Sequence, residues 1–100
     1  MNDLTSPHYI RELAARYAFH FSKSLGQNFL IRSDILDKTL ACCMPDIHTG
    51  VLEIGPGIGT LTCALAARAG KVAAVEIDRT LIPILQETTG GIGNISIIQH

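Results

Sequence analysis

The stretch that decides the fold is EIGPGIGTLT, residues 53–62, which directly follows the apolar residues Val51 and Leu52. It indicates a buried strand that ends in a tight glycine turn and is followed by a helix. Glycines in such a turn let the backbone bend sharply and let a ligand approach where a Cβ would block it. The first turn of the helix also leaves backbone N–H groups free to bind an anion. The stretch therefore predicts a ligand-binding loop in an α/β protein.

The spacing of the glycines narrows the choice of ligand. A phosphate-binding P-loop needs a Lys followed by Ser or Thr, and no such pair follows these glycines. A dinucleotide fold uses G-x-G-x-x-G, whereas Gly55, Gly57 and Gly59 give G-x-G-x-G. This spacing suits S-adenosylmethionine, which has a methionine carboxylate but no phosphate. Taken alone, the loop is also compatible with a purely structural turn of an α/β protein.

An acidic residue at the end of the next strand supports a nucleoside ligand. Glu76 follows the apolar run 72–75, about 20 residues after the loop begins. A carboxylate at this place can accept hydrogen bonds from both hydroxyls of a ribose. Asp78 is the competing candidate, but it lies past the strand end, where it is better placed to cap the following helix. We therefore predict that Glu76 binds the ribose.

Hydrophobic periodicity predicts helices and strands in the order α-α-β-α-β-α-β. The predicted helices cover residues 7 to about 20, 34–44, 60–69 and 80–87, and the predicted strands cover 51–54, 72–75 and 95–99. Ser6 and Pro7 indicate the N-cap and first position of the first helix, and Gly70 is predicted to close the third helix as its C′ residue. The predicted inward stripe of the second helix is Ile35, Leu36, Thr39, Leu40 and Cys43.

Strands that alternate with helices imply right-handed crossovers and a parallel sheet, so the predicted fold class is α/β. A parallel sheet needs cover on both faces, and this sequence stops on a strand. We therefore expect the chain to be truncated and the parent protein to contain further strands.

Composition and charge restrict the function classes. The 100 residues are 47% hydrophobic and 17% charged, which argues against a disordered chain, and the net charge of −1 gives no support to RNA binding by this segment alone. The odd number of cysteines argues against a disulfide framework, and we expect Cys42, Cys43 and Cys63 to be small buried side chains in a reducing cytosol. The histidines lack metal-ligand spacing. The sequence shows neither a membrane span nor a signal peptide.

Several segments together resemble one enzyme family. EIGPGIG at 53–59 resembles motif I of class I methyltransferases, in the form found in ribosomal RNA adenine dimethyltransferases of the KsgA/Dim type. KSLGQNFL at 23–30 is similar to that family's N-terminal signature. VEID at 75–78 resembles its motif II, and NISII at 94–98 resembles the strand before its motif III. The resemblance covers about residues 20–100. It implies the N-terminal portion of a class I, Rossmann-like methyltransferase fold that uses S-adenosylmethionine.

The resemblance also implies which residues bind the methionine end of this cofactor. Asn28 and Leu30 would contact it from the N-terminal signature. Gly55 would contact it from the glycine loop, and Gly57 would permit the close approach. In domain terms, residues 1–49 would form an N-terminal helical segment that covers the cofactor, and residues 50–100 the first half of the methyltransferase domain.

At the nucleoside end, the resemblance implies that Glu76 holds the ribose hydroxyls and that Ile77 packs on the adenine. The family places an adenine-binding Asp just after the third strand and a catalytic Asn-Leu-Pro-Tyr motif further on. This chain stops at His100 before either, so we expect no catalytic residue within it and no activity from the 100 residues alone.

The activity implied for the parent protein is dimethylation of adenine N6 in small-subunit ribosomal RNA. The implied setting is a cytoplasmic monomer whose partner is ribosomal RNA or the small ribosomal subunit, with no metal and no membrane. The nearest alternative is an antibiotic-resistance methyltransferase of large-subunit ribosomal RNA, and a mitochondrial transcription-factor relative is less favoured without a transit peptide. A cofactor-binding module without catalysis is the alternative from a different class.

Overall fold

The computed structural model describes residues 4–18 and 33–100 of the chain. Its helices and strands follow the predicted order. In this order they are α1 Pro7–Arg16, α2 Ser33–Cys43, β1 Gly50–Ile54, α3 Thr60–Ala66, β2 Lys71–Glu76, a 3₁₀ turn Arg79–Leu81, α4 Ile82–Thr89 and β3 Ile95–Gln99. The α/β class predicted from the periodicity is therefore confirmed.

The strands form one parallel sheet in the order β1-β2-β3. Its covered face includes Val72 and Ala74, which are completely buried. Its other face carries Leu52, Ile54 and Ile98, which are 67%, 73% and 46% exposed. The elements described here thus cover the sheet on one side, and this side holds the core.

Two buried clusters hold the helices in place, one against the sheet and one against the glycine loop. One connects α2 and α3 to β2 and consists of Leu40, Leu65, Ala66, Ala69 and Val72. The other connects α1 to the glycine loop and to α4, and it consists of Ile10, Leu13, Ile58, Leu81 and Ile84. Burying each large aliphatic side chain contributes about 1.5–3 kcal/mol. Residues from both sides of the predicted 49/50 boundary therefore share each cluster.

The first helix begins as predicted and ends earlier. The Ser6 side chain accepts a hydrogen bond from the Tyr9 N–H at 3.4 Å, and Pro7 stands in the first turn. The helix ends at Arg16, because the chain turns at Tyr17 and Ala18 takes a left-handed φ of 50°. The predicted end near residue 20 was therefore wrong by at least three residues.

The inward stripe predicted for α2 is narrower in the structure. Leu40 is buried and Leu36 is half-buried, and both pack on the cluster around Leu65. Ile35 is exposed, and so are the adjacent Cys42 and Cys43, because α2 contacts its neighbours through one narrow face. The expectation that the cysteines are buried was wrong for Cys42 and Cys43, whereas Cys63 is half-buried.

The third helix also ends before its predicted boundary. After Ala66 the backbone tightens into a turn in which the N–H groups of Arg68 and Ala69 both donate to the Leu65 carbonyl. Gly70 is not left-handed, so its predicted role as a C′ residue was wrong. A Cβ at this position would lie 2.1 Å from the Ile47 carbonyl oxygen, so Gly70 is required by close backbone approach.

The fourth helix starts with a different geometry from the predicted one. A 3₁₀ turn precedes α4, and Pro83 lies in the first turn of α4, where it breaks no helical hydrogen bond. The predicted strand 95–99 is confirmed as β3.

Candidate functional site

The glycine loop lies at the carboxyl end of the parallel sheet, where β1 passes into α3. Gly55, Gly57 and Gly59 all have left-handed φ angles, of 73°, 62° and 94°. The Gly55 N–H donates to the Val75 carbonyl at 2.8 Å, which ties the start of the loop to β2. A Cβ on Gly55 would meet no atom within 4 Å, so the loop is open on that side. The left-handed φ angles account for glycine at all three positions.

Glu76 is the last residue of β2 and points back toward the loop. Its side chain is buried, with 4% exposure. Oε1 accepts a hydrogen bond from the Gly57 N–H at 3.2 Å, and Oε2 accepts one from the Asp78 N–H at 2.9 Å. A carboxylate offers about four acceptor positions, so about half remain for other donors. The bond to the loop was not predicted, because nothing local in the sequence indicates which backbone N–H faces the carboxylate.

The two residues that follow Glu76 take separate roles. Asp78 is the N-cap of the 3₁₀ turn, and its Oδ1 accepts from the Thr80 N–H at 2.9 Å and the Thr80 hydroxyl at 2.6 Å. The prediction that Asp78 caps the following helix is thus confirmed for the 3₁₀ turn that begins it. Ile77 is 67% exposed and offers an apolar surface next to Glu76.

A second carboxylate lies just before the loop. Glu53 in β1 accepts a hydrogen bond from the Thr62 hydroxyl at 2.5 Å. Burial raises the pKa of Glu53, the bond from Thr62 opposes this rise, and the charge of Glu76 adds to it. Two carboxyl groups, Glu53 and Glu76, thus lie at the base of the loop, and the charge of Glu76 there favours a cationic ligand over a phosphate.

The rear of the loop packs against α1 and α4. The Ile58 carbonyl accepts a hydrogen bond from the Thr88 hydroxyl at 2.7 Å, and the Thr60 hydroxyl donates to the Leu4 carbonyl at 3.2 Å. α1 is in turn joined to α4, because Glu87 accepts from Arg16 at 2.5 Å and from the Tyr17 hydroxyl at 2.7 Å. Sequence reasoning missed these contacts.

The structure brings four of the predicted site residues together at the ends of β1 and β2. These are Gly55, Gly57, Glu76 and Ile77. The other two, Asn28 and Leu30, lie outside the described residues. Within residues 4–18 and 33–100, no group of three or more His, Cys, Asp or Glu side chains is arranged to hold a metal ion. None of the helices in these ranges is both long and apolar enough to span a membrane.

Comparison with known families matches residues 18–100 to the family model described as ribosomal RNA adenine dimethylase. The chain belongs to this family. The family membership predicted from the resemblance of these segments is therefore confirmed.

Individual relatives agree with this assignment. The ribosomal RNA small subunit methyltransferase A of Geobacillus sp. (strain WCH70) is 52% identical over 98% of this chain, and the match covers 34% of that relative. The chain thus spans about a third of the length of the dimethylase relatives that it matches.

Solved structures of similar methyltransferases share the fold. The 23S rRNA methyltransferase ErmE superimposes with a TM-score of 0.67 at 37% identity, over 71% of this chain and 29% of that one. A dimethyladenosine transferase from Plasmodium falciparum gives a TM-score of 0.67 at 31% identity, over 73% of this chain and 27% of that one. The chain is therefore the N-terminal portion of a Rossmann-like methyltransferase fold, as predicted.

Proposed function

We propose that this chain supplies the methionine and ribose side of an S-adenosylmethionine site in a ribosomal RNA adenine N6,N6-dimethyltransferase. The observation that carries the proposal is the bond between the Gly57 N–H and the Glu76 carboxylate at 3.2 Å. It places negative charge inside the glycine loop, which disfavours a phosphate and accommodates a cationic sulfonium. Family membership supports the same cofactor, because the relatives are ribosomal RNA methyltransferases.

The environments of Gly55, Glu76 and Ile77 support the roles that this proposal gives them, whereas the roles of Asn28 and Leu30 rest on the family resemblance alone. Gly55, open toward solvent, lets the methionine part approach the backbone. The Glu76 carboxylate accepts hydrogen bonds from the ribose hydroxyls at its remaining acceptor positions. Ile77, 67% exposed, offers an apolar surface to the adenine. Asn28 and Leu30 complete the methionine end. Residues 1–49 and 50–100 are proposed as the cofactor-covering segment and the first half of the domain.

When bound, S-adenosylmethionine supplies a methyl group on a positively charged sulfur, which a nitrogen nucleophile can attack directly. The protein's contribution in this chain is to hold and orient the cofactor, since positioning of two reactants accounts for much of the rate in such displacements. We propose adenine N6 of small-subunit ribosomal RNA as the nucleophile. We also propose that the full-length protein acts in the cytoplasm as a monomer, with no metal or membrane, and that the 100 residues alone are inactive.

The cofactor site is tested by titrating the full-length protein that carries this chain with S-adenosylmethionine and, separately, with NAD. Glu76→Ala is expected to weaken S-adenosylmethionine binding about tenfold to a hundredfold, since hydrogen bonds to a charged group contribute about 1.5–3 kcal/mol. Asp78→Asn is the control, because it keeps the backbone N–H that Glu76 uses. Unchanged affinity in Glu76→Ala would refute the role of Glu76, and tighter binding of NAD would refute the cofactor.

A second candidate is methylation of large-subunit ribosomal RNA, which the 37% identity to ErmE favours. The small-subunit relative is more similar, at 52% identity over nearly the whole chain. Transfer of labelled methyl groups to isolated small and large ribosomal subunits separates the two substrates. We expect label in the small-subunit RNA, and label confined to the large-subunit RNA would favour the second candidate.

A further inference from the structure

Thr88 in α4 contacts the glycine loop at Ile58. Its hydroxyl lies 2.7 Å from the Ile58 carbonyl oxygen and 3.4 Å from the Leu85 carbonyl oxygen of its own helix. A hydroxyl has one proton to donate, and the shorter distance favours Ile58 as its acceptor. Thr88 therefore holds the Ile58–Gly59 peptide group, which lies at the end of the loop where α3 begins.

The surroundings of the Ile58–Gly59 peptide group make its orientation sensitive to the hydrogen bond from Thr88. Ile58 is 3% exposed and packs in the cluster that joins α1 to α4. Gly59 follows with a φ of 94°, and a Cβ there would lie 3.0 Å from the Thr88 oxygen. The loop thus fits closely against α4 at Thr88. On the other side of Ile58, the Gly57 N–H points to the Glu76 carboxylate.

We propose that Thr88 is a positioning residue for the cofactor loop, acting through the Ile58 carbonyl on the orientation of the Gly57 N–H and of Glu76. This inference rests on the proposed function, since the loop must bind S-adenosylmethionine for its orientation to matter. Without the hydroxyl, the Ile58 carbonyl loses its partner and the loop populates other orientations. Because apparent affinity falls with the fraction of binding-competent protein, the loss appears in cofactor binding.

The chain offers closely matched variants for the test. Thr88→Val keeps the shape of the side chain and removes the hydroxyl, whereas Thr88→Ser keeps the hydroxyl. Thr89→Val is the control, because the Thr89 hydroxyl donates to Leu85 at 2.6 Å within α4 and makes no bond to the loop. Each variant is made in the full-length protein that carries this chain. Affinity for S-adenosylmethionine is measured by calorimetry well below the unfolding midpoint.

We expect Thr88→Val to weaken S-adenosylmethionine binding about fivefold, corresponding to one ordinary hydrogen bond. Thr88→Ser and Thr89→Val are expected to stay within about twofold of the parent protein. In methyl transfer, the KM for S-adenosylmethionine should rise in Thr88→Val while kcat and the KM for RNA stay unchanged. Loss of folded protein would instead lower kcat, so this pattern separates positioning from a merely structural role.

Equal affinity in Thr88→Val and the parent protein would overturn the inference, and so would an equal weakening in Thr89→Val. If Thr88→Val does not fold, comparing Thr88→Ser with Thr88→Ala isolates the same hydroxyl, and equal affinities of these two variants would also overturn it. If the parent protein itself does not bind S-adenosylmethionine, the proposed function is contradicted. This result is distinct from equal affinities among the variants.

Discussion

Gly70 allows a sharp test of how the turn after α3 fits against the rest of the molecule. A Cβ there would lie 2.1 Å from the carbonyl oxygen of Ile47 and 3.1 Å from its carbonyl carbon, so Gly70→Ala must displace the backbone. The backbone cannot retreat freely, because the Thr49 carbonyl nearby accepts from the Gly70 N–H at 3.0 Å. Overpacking costs about 1–3 kcal/mol and the weakened hydrogen bond about 1 kcal/mol. We expect a loss of about 2–4 kcal/mol in the free energy of unfolding.

The assay is urea unfolding of the full-length protein, with Gly93→Ala as the control. A Cβ on Gly93 would meet no atom within 4 Å, and its φ is not left-handed, so this variant should be neutral or slightly stabilised. Gly70→Asn separates two explanations for the glycine. A left-handed helix cap would tolerate Asn better than Ala, whereas close backbone approach makes Asn no better. A Gly70→Ala protein as stable as the control, or one rescued by Asn, would refute the reasoning.

Three further predictions concern ionisable side chains, namely Glu53, Glu87 and the cysteines. Burial raises the pKa of Glu53, so this carboxyl stays protonated to a higher pH in the folded than in the unfolded protein. The free energy of unfolding should therefore fall relative to that of Glu53→Gln as the pH rises from about 4.5. Parallel pH profiles of unfolding for the two proteins would contradict this expectation. Hydrogen bonds from Tyr17 and Arg16 lower the pKa of Glu87. The parent protein should therefore be more stable than Glu87→Gln above about pH 4.5, and this difference in stability should disappear as the pH falls further. A difference that persists in acid would contradict the expectation. A thiol reagent at neutral pH should modify the exposed pair 42–43 quickly and Cys63 slowly, since burial raises the pKa of Cys63; equal rates would disagree with the structure.

The parts of the fold that could be predicted from sequence are those with local causes. The glycines at 55, 57 and 59 predict a tight turn, and all three have the positive φ that glycine adopts at little cost. Ser6 before Pro7 predicts a helix start, and the Ser6 side chain caps that helix. Asp78 just past a strand end predicts a cap, and it accepts the Thr80 N–H. In each case the interacting groups are within a few residues of one another.

The errors concern features that depend on tertiary contacts. Gly70 stands at a helix end, where a left-handed cap is the common explanation, but its reason lies in the backbone at Ile47. Cys42 and Cys43 have an apolar character that favours burial, yet they are exposed because α2 packs through Leu36 and Leu40 alone among its apolar positions. Periodicity gives the apolar positions of a helix but not the width of the surface that covers them.

The glycine loop joins both kinds of cause in one element. Its open side carries residues that the sequence motifs contain, Gly55 in the loop and Glu76 at the end of the neighbouring strand. Its rear side depends on Ile58, an apolar residue within the glycine motif, which is buried against α1 and α4. The residue types at 55, 57 and 59 permit the loop's shape, since glycine adopts many conformations at little cost. That same freedom means that the glycines cannot select one shape. The selection must therefore come from distant groups such as Thr88 and α1, and cofactor affinity should depend on contacts that the motif itself does not contain.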